Sequence, residues 1–270
     1  MVDGKYLKTP FLNFSDTAPR PKPNSVPLMI GVNRDEGGVL APFFQTDDLD
    51  TGIRDIAATL GTTVQAILSS GLFPLGSGPV PSNQTLDVFN TTTRIYTDYS
   101  FKCSSQAIAL GGVVSGDLPK VWFYEFNRTY QDPSYDTYGV CQPPKTTQHP
   151  NGDPSQEYFK CHAGDLFFTF GTVVRSGLPL RDENDNPYQQ LLTDYWTSFG
   201  RTFDPNPDPN FLRARGYWNT LEQVAVAGPW SQVDEQNPQL MQLQWNPFMR
   251  SFVDEPQCAV LGLPVNYLLG

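Results

Sequence analysis

The sequence predicts an α/β chain. Three short strand signals carry that prediction, at residues 26–32 (VPLMIGV), 121–126 (VWFYEF) and 240–245 (LMQLQW), with helical apolar patterns between them. A strand–helices–strand–helices–strand order is that of a sheet flanked by helices.

The elements follow in chain order. Residues 16–25 are Pro-rich and polar and read as a leading loop. The run at 26–32, closed by Asn33, reads as a buried parallel strand. Residues 47–71 read as two short helices: Asp47, Asp48 and Asp50 favour a helix N-terminus, and Thr62 suits an N-cap. Residues 72–82 form a loop, and 86–114 are helical with one break. The alternation of aromatic and branched residues at 121–126 is the strongest strand signal in the chain. Residues 128–160 form a long polar loop with Pro133, Pro143, Pro144, Pro150 and Pro154; loops of that length are usually functional or pinned. A helical apolar segment opens at 165–170, a second strong helix covers 188–201, and FDPNPDPNF at 203–211 breaks it. No internal repeat is present.

Composition bounds the function. The chain has 270 residues, 39% hydrophobic and 13% aromatic, enough for a packed core. Its net charge of -10, with no basic run to offset it, repels nucleic-acid phosphates and anionic membranes, so no nucleic-acid partner is expected. Four cysteines (Cys103, Cys141, Cys161, Cys258) without a C-x-x-C, and two histidines, argue against a structural zinc; no metal or cofactor is expected. The cysteines leave three pairings open. Sequons at Asn13, Asn83, Asn90 and Asn127 are glycosylation candidates, and with the even cysteine count they lean towards the secretory pathway. The first residues, Met-Val-Asp-Gly-Lys, have neither a basic nor an apolar leader region, and no run is long enough to span a membrane. An extracellular location is thus expected of an intact protein, not of a signal in this chain.

Two stretches carry chemistry. Gly31-Val-Asn-Arg-Asp-Glu-Gly-Gly38 directly follows the first strand. Reactive groups in open α/β sheets sit at strand carboxyl ends, and Gly37 and Gly38 would let the chain turn and leave Glu36 displayed. The same stretch also suits a solvated turn. Cys161-His-Ala-Gly-Asp-Leu-Phe-Phe-Thr-Phe-Gly171 places His162 just before a helix start. A helix N-terminus disfavours the imidazolium and a nearby carboxylate favours it, and a general base works best with a pKa near working pH. A capping or hydrogen-bonded core histidine fits that pattern as well. His149, in the polar loop, reads as solvated.

These two stretches resemble the acid and base segments of the type-B carboxylesterase/lipase family, the cholinesterase-like α/β-hydrolases that include secreted fungal lipases. The resemblance implies that Glu36 is the triad acid and His162 the triad base, and that Asp165, three residues after the histidine, belongs to the supporting network. Tyr195-Trp-Thr-Ser-Phe-Gly-Arg-Thr-Phe-Asp-Pro-Asn206 is similar to the family's W-x-x-F-A-x-T-G-x-P-N segment, from which Gly200 and Phe203 depart. Val2-Asp-Gly resembles a stretch upstream of the acid. The match runs along essentially the whole chain in the family's order. It also implies a Cys103–Cys258 disulfide, leaving Cys141 to Cys161, and places Val39 and Leu40 on the substrate pocket wall.

The family's order is Ser, acid, His. No G-x-S-x-G occurs here: Gly76-Ser-Gly78 has Leu75 where the first glycine belongs, and Ser115 and Ser176 lack it too. The Gly-rich oxyanion loop is absent as well. Residues 1–270 are therefore expected to be the C-terminal part of a single carboxylesterase domain of α/β-hydrolase fold, a partial mixed sheet with flanking helices. The missing N-terminal half would bring the nucleophile, and the partner chemistry of the intact enzyme would be a small ester or lipid. A non-catalytic binding or adhesion protein of the same fold is the alternative; retention of both Glu36 and His162 favours the hydrolase.

Overall fold

The computed structural model describes residues 3, 5, 12–15, 26–76 and 83–270. The leading loop at 16–25, two of the three residues of the Val2-Asp-Gly resemblance and the second half of the 72–82 loop lie outside the described residues.

Among the described residues the sheet has four strands in the order β1 (Leu28–Asn33), β2 (Val121–Phe126), β3 (Gln239–Leu243), β4 (Phe248–Ser251). The first three are parallel and β4 is antiparallel to β3, so the sheet is mixed. β1 stands at one edge. It is accordingly half-buried over Leu28–Gly31, where its apolar sequence predicts full burial.

β2 explains the layers. Its odd residues Val121 and Phe123 pack with Ala109 and Leu110 of α4 (Cys103–Val114), with Leu240 and with Phe252. Its even residues Trp122 and Phe126 pack with Tyr188, Leu191, Leu192 and Tyr195 of α6 (Asp185–Thr202). A period-2 strand with both faces apolar requires a helix on each side.

Helices α1 (Leu49–Leu60) and α2 (Val64–Ser70) pack on α3 (Gln84–Thr97) and on α9 (Glu255–Val260) through Ile53, Ile56, Ile67, Ile95 and the Cys103–Cys258 disulfide. Asp48 caps α1 through its side chain, accepting from the Thr51 N–H at 2.9 Å. The N-cap position of α2 is Thr63, one residue beyond the expected Thr62, and it makes no side-chain cap bond. α3 and α4 are one continuous rod interrupted by a π turn, Asp98–Lys102, where the sequence shows a break. A short α5 (Leu166–Thr169) follows the base segment, and α7 (Pro209–Arg215) and α8 (Trp218–Ala227) cover α6. The long polar loop has no helix or strand of its own. Among the described residues no helix is long and apolar enough to cross a membrane.

Candidate active site

β1 ends at Asn33, and the next residues are held from the other side by the segment before His162. Arg34 N–H donates to the Phe126 carbonyl at 3.1 Å, continuing the β1–β2 ladder. Asp35 N–H donates to the Lys160 carbonyl at 3.1 Å, and the Lys160 N–H returns a bond to the Asp35 carboxylate at 2.9 Å. Burial acts to raise the Asp35 pKa, but Arg34 and Lys160 outweigh it and hold the carboxyl below its ordinary value. The Arg34 guanidinium also reaches Glu157 and the Tyr158 carbonyl. Residues 157–161 are thereby laid against 34–36.

Glu36 opens a 3-10 turn (Glu36–Val39). It is buried, 6% exposed, and not displayed as the sequence suggests. Gly37 and Gly38 have ordinary backbone angles and serve close approach. A Cβ on Gly38 would lie 2.4 Å from the Cys161 sulfur, and one on Gly37 would lie 2.7 Å from the Thr93 carbonyl. The Cys141–Cys161 disulfide and α3 occupy the space that side chains there would need.

Both Glu36 oxygens are used. Oε1 accepts the Asn33 backbone N–H at 2.7 Å, and Oε2 lies 2.7 Å from His162 Nδ1. With Nδ1–H directed at the carboxylate, Nε2 is the nitrogen that carries the lone pair. The imidazole is 45% exposed and the carboxylate 8%, so a buried carboxylate orients a ring that solvent can reach. The Glu36 hydrogen bond raises the His162 pKa above its ordinary value; burial opposes it, and the charges of Glu36 and Asp165 add to it.

The base segment is fixed independently. Gln131 Nε2 donates to the His162 carbonyl at 2.7 Å, and Ala163 takes a positive φ of 63° in the tight turn that follows. Left-handed non-glycine residues cost free energy and concentrate at functional sites. Asn33 Nδ2 donates to the Cys161 carbonyl at 3.0 Å and to the Asp165 carboxylate at 3.1 Å. The Phe101 ring lies 5.3 Å from the imidazole, tilted by 44°. Sequence reasoning names Asn33 only as the residue closing the first strand and passes over Gln131 and Phe101. That position at the strand end is the signal for Asn33; the other two have no local signal.

Val39 packs against the cluster of Phe89, Phe159 and the Cys141–Cys161 disulfide, and Leu40 is exposed. Asn13 and Asn83 are exposed, Asn83 capping α3 through its carbonyl oxygen. Asn90 and Asn127 are half-buried, and Asn127 donates to Gln244 at 2.7 Å and accepts from Arg34 at 3.0 Å. His149 is half-buried beside Asp153 rather than solvated.

A buried carboxylate bonded to the Nδ1 side of an accessible imidazole fixes the tautomer and orientation of that ring. Comparison with known proteins gives the lineage. The profile described as the carboxylesterase family matches residues 1–261. The chain belongs to that family. This carboxylesterase chain is 27% identical over 193 residues to liver carboxylesterase 1F of Rattus norvegicus, an alignment covering 68% of the chain and 30% of that protein. Among solved structures it is similar to a PNB esterase at a TM-score of 0.50 and 18% identity, covering 87% of this chain and 38% of that one; another structure of the PNB esterase matches at 17% identity with the same TM-score and coverage. The sheet and its flanking helices are those of an α/β-hydrolase fold. The chain spans about a third of the length of the relatives it matches.

Proposed function

We propose that this chain supplies the acid and the base of a Ser–Glu–His carboxylic ester hydrolase, with the serine and the oxyanion donors carried by polypeptide outside these 270 residues. The observation that carries the reading is the 2.7 Å bond from His162 Nδ1 to a Glu36 carboxylate whose other oxygen is already engaged. In such a relay His162 Nε2 takes the serine proton as the hydroxyl attacks the ester carbon. It then returns the proton to the leaving alcohol. Glu36 holds the tautomer and stabilises the imidazolium. Asp165 and Asn33 keep the two segments in register.

Two surfaces suit a covering polypeptide. β1 lies at the sheet edge, and Leu166, Phe170 and Val174, just after His162, are exposed apolar side chains. Without a nucleophile the chain alone forms no acyl-enzyme, and lack of the oxyanion donors forfeits a further ~10²–10³ in rate. Val39 and Leu40 would face the acyl group, and their apolar character suits fatty-acyl or aromatic esters. Two disulfides and exposed sequons at Asn13 and Asn83 fit an extracellular protein.

The test is turnover of a short-chain nitrophenyl ester by the purified chain, alone and after addition of a polypeptide bearing the family's nucleophile elbow. The expected result is no turnover alone and turnover on complementation. Turnover by the chain alone, lost in His162→Ala, would overturn the proposal.

A further inference from the structure

Lys102 takes no part in the Glu36–His162 bond, yet it is a buried cation, 5% exposed. Its ammonium faces three carboxylates: Asp254 at 2.6 Å, Glu125 at 3.2 Å and Asp98 at 3.6 Å. These come from the turn before α9, from the end of β2 and from its own π turn. Arg94 of α3 lies 4.0 Å from Asp254, and Arg250 of β4 reaches Glu125 through Gln242. Burial pushes Asp98 up to about 7, against Lys102 and with the charges of Asp254 and Glu125. Buried charge clusters seldom add stability over well-packed apolar side chains, so this one calls for another explanation.

What the cluster holds is the π turn, and π turns inside helices are frequent at functional sites. The turn reaches the acid–base pair at two points. Thr97, immediately before it, accepts the Gly37 N–H at 3.0 Å, next to Glu36. Phe101, within it, sets its ring 5.3 Å from the His162 imidazole, tilted by 44°.

We propose that Lys102 is a positioning residue: by tying the π turn to β2 and to the α9 turn, it sets the alignment of Glu36 with His162 through Thr97 and Phe101. The proposal rests on reading that pair as acid and base. Its test needs no turnover, so the two readings fail separately.

The experiment is an NMR titration of the imidazole carbons in isotope-labelled chain, with any complementing polypeptide left unlabelled. The two histidines give two curves, and His149 serves as the internal control. Removing a cation raises the pKa of an imidazole by direct electrostatics. Lost alignment does the opposite, because the raised His162 value comes first from its bond to Glu36. Lys102→Met is therefore expected to move His162 down towards the ordinary value of about 6.5, with His149 unmoved, and Lys102→Arg to restore it. Thr97→Val removes the acceptor of the Gly37 N–H without changing charge or β-branching and is expected to lower His162 too. It decides the matter if Lys102→Met does not fold. A His162 midpoint that rises or stays put in Lys102→Met, or stays put in Thr97→Val, overturns the proposal.

Discussion

The side-chain amide of Asn33 bonds the Asp165 carboxylate at 3.1 Å, joining the end of the first strand to the segment 132 residues later that carries the base. The same amide donates to the Cys161 carbonyl, and the Asn33 backbone N–H donates to Glu36. One buried residue thus touches the acid, the residue before the base and the carboxylate beyond it.

Asn33→Ala should uncouple the two segments. It removes one of two donors to the Cys161 carbonyl, which keeps the Gly164 N–H, and the amide bonded to the half-buried Asp165 carboxylate, but keeps the backbone bond to Glu36. A lost hydrogen bond of this kind costs about 0.5–1.5 kcal/mol. The expected outcome is a lower urea midpoint at unchanged m, with ester turnover of the complemented chain reduced. An unchanged midpoint would show that the bridge holds nothing.

The raised pKa of His162 has two consequences of opposite sense. As a base, the ring works only when neutral, so the rate should fall as pH drops through the raised value. As a stabilising pair with Glu36, the folded-state pKa exceeds the unfolded one. That contribution is fully present below about pH 6.5, the unfolded value, and is lost as pH rises through the folded one. Glu36→Gln should lower the His162 pKa and move the acid limb of the rate profile to lower pH. The difference in urea stability between wild type and His162→Gln should be larger at pH 5.5 than at pH 9. A difference that grows with pH would contradict the sign.

The Cys141–Cys161 bridge closes a loop of 20 residues beside the base. Replacing both cysteines by alanine should cost about 3 kcal/mol by loop-closure entropy. It should also lower turnover more than it lowers substrate affinity, because Cys161 precedes His162. Calorimetry and the kcat-to-KM split check the two parts.

Gly200 and Phe203 depart from the family pattern, and both departures cost stability. Gly200 is an exposed helical glycine with nothing within 4 Å of a built Cβ, so Gly200→Ala should add about 0.5–1 kcal/mol. Phe203 ends α6 at φ 58°, exposed, where an L side chain is disfavoured by roughly 1–2 kcal/mol. Phe203→Gly should relieve that, less about 0.5–1 kcal/mol of added unfolded-chain entropy. Thermal midpoints of the two variants should both rise.

The local elements were legible where the pattern is local. Val121–Phe126 alternates along one strand, and α6 repeats its apolar face along one helix. β4, with the sequence Phe-Met-Arg-Ser and little burial, carries no apolar alternation to read. α7 opens on Pro209 after Pro205 and Pro207, and Gly216 in a left-handed cap splits it from α8, so no long period survives. Of the candidate site, Glu36 and His162 could be named from compact motifs, and the structure brings them to 2.7 Å of one another. Gly37 and Gly38 do lie in a turn, but their close-approach role was not legible because the sequence does not show that a disulfide and α3 press against them. Gln131, Phe101 and Lys102 meet the site only through tertiary contacts, which leave no spacing in the chain.

The most direct measurement is ester turnover by the complemented chain in three forms: wild type, His162→Ala and Glu36→Gln. The account predicts that His162→Ala lowers kcat by about 10⁴-fold or more, and that Glu36→Gln also lowers it substantially with KM little changed. A His162→Ala chain retaining a rate within tenfold of wild type would contradict it.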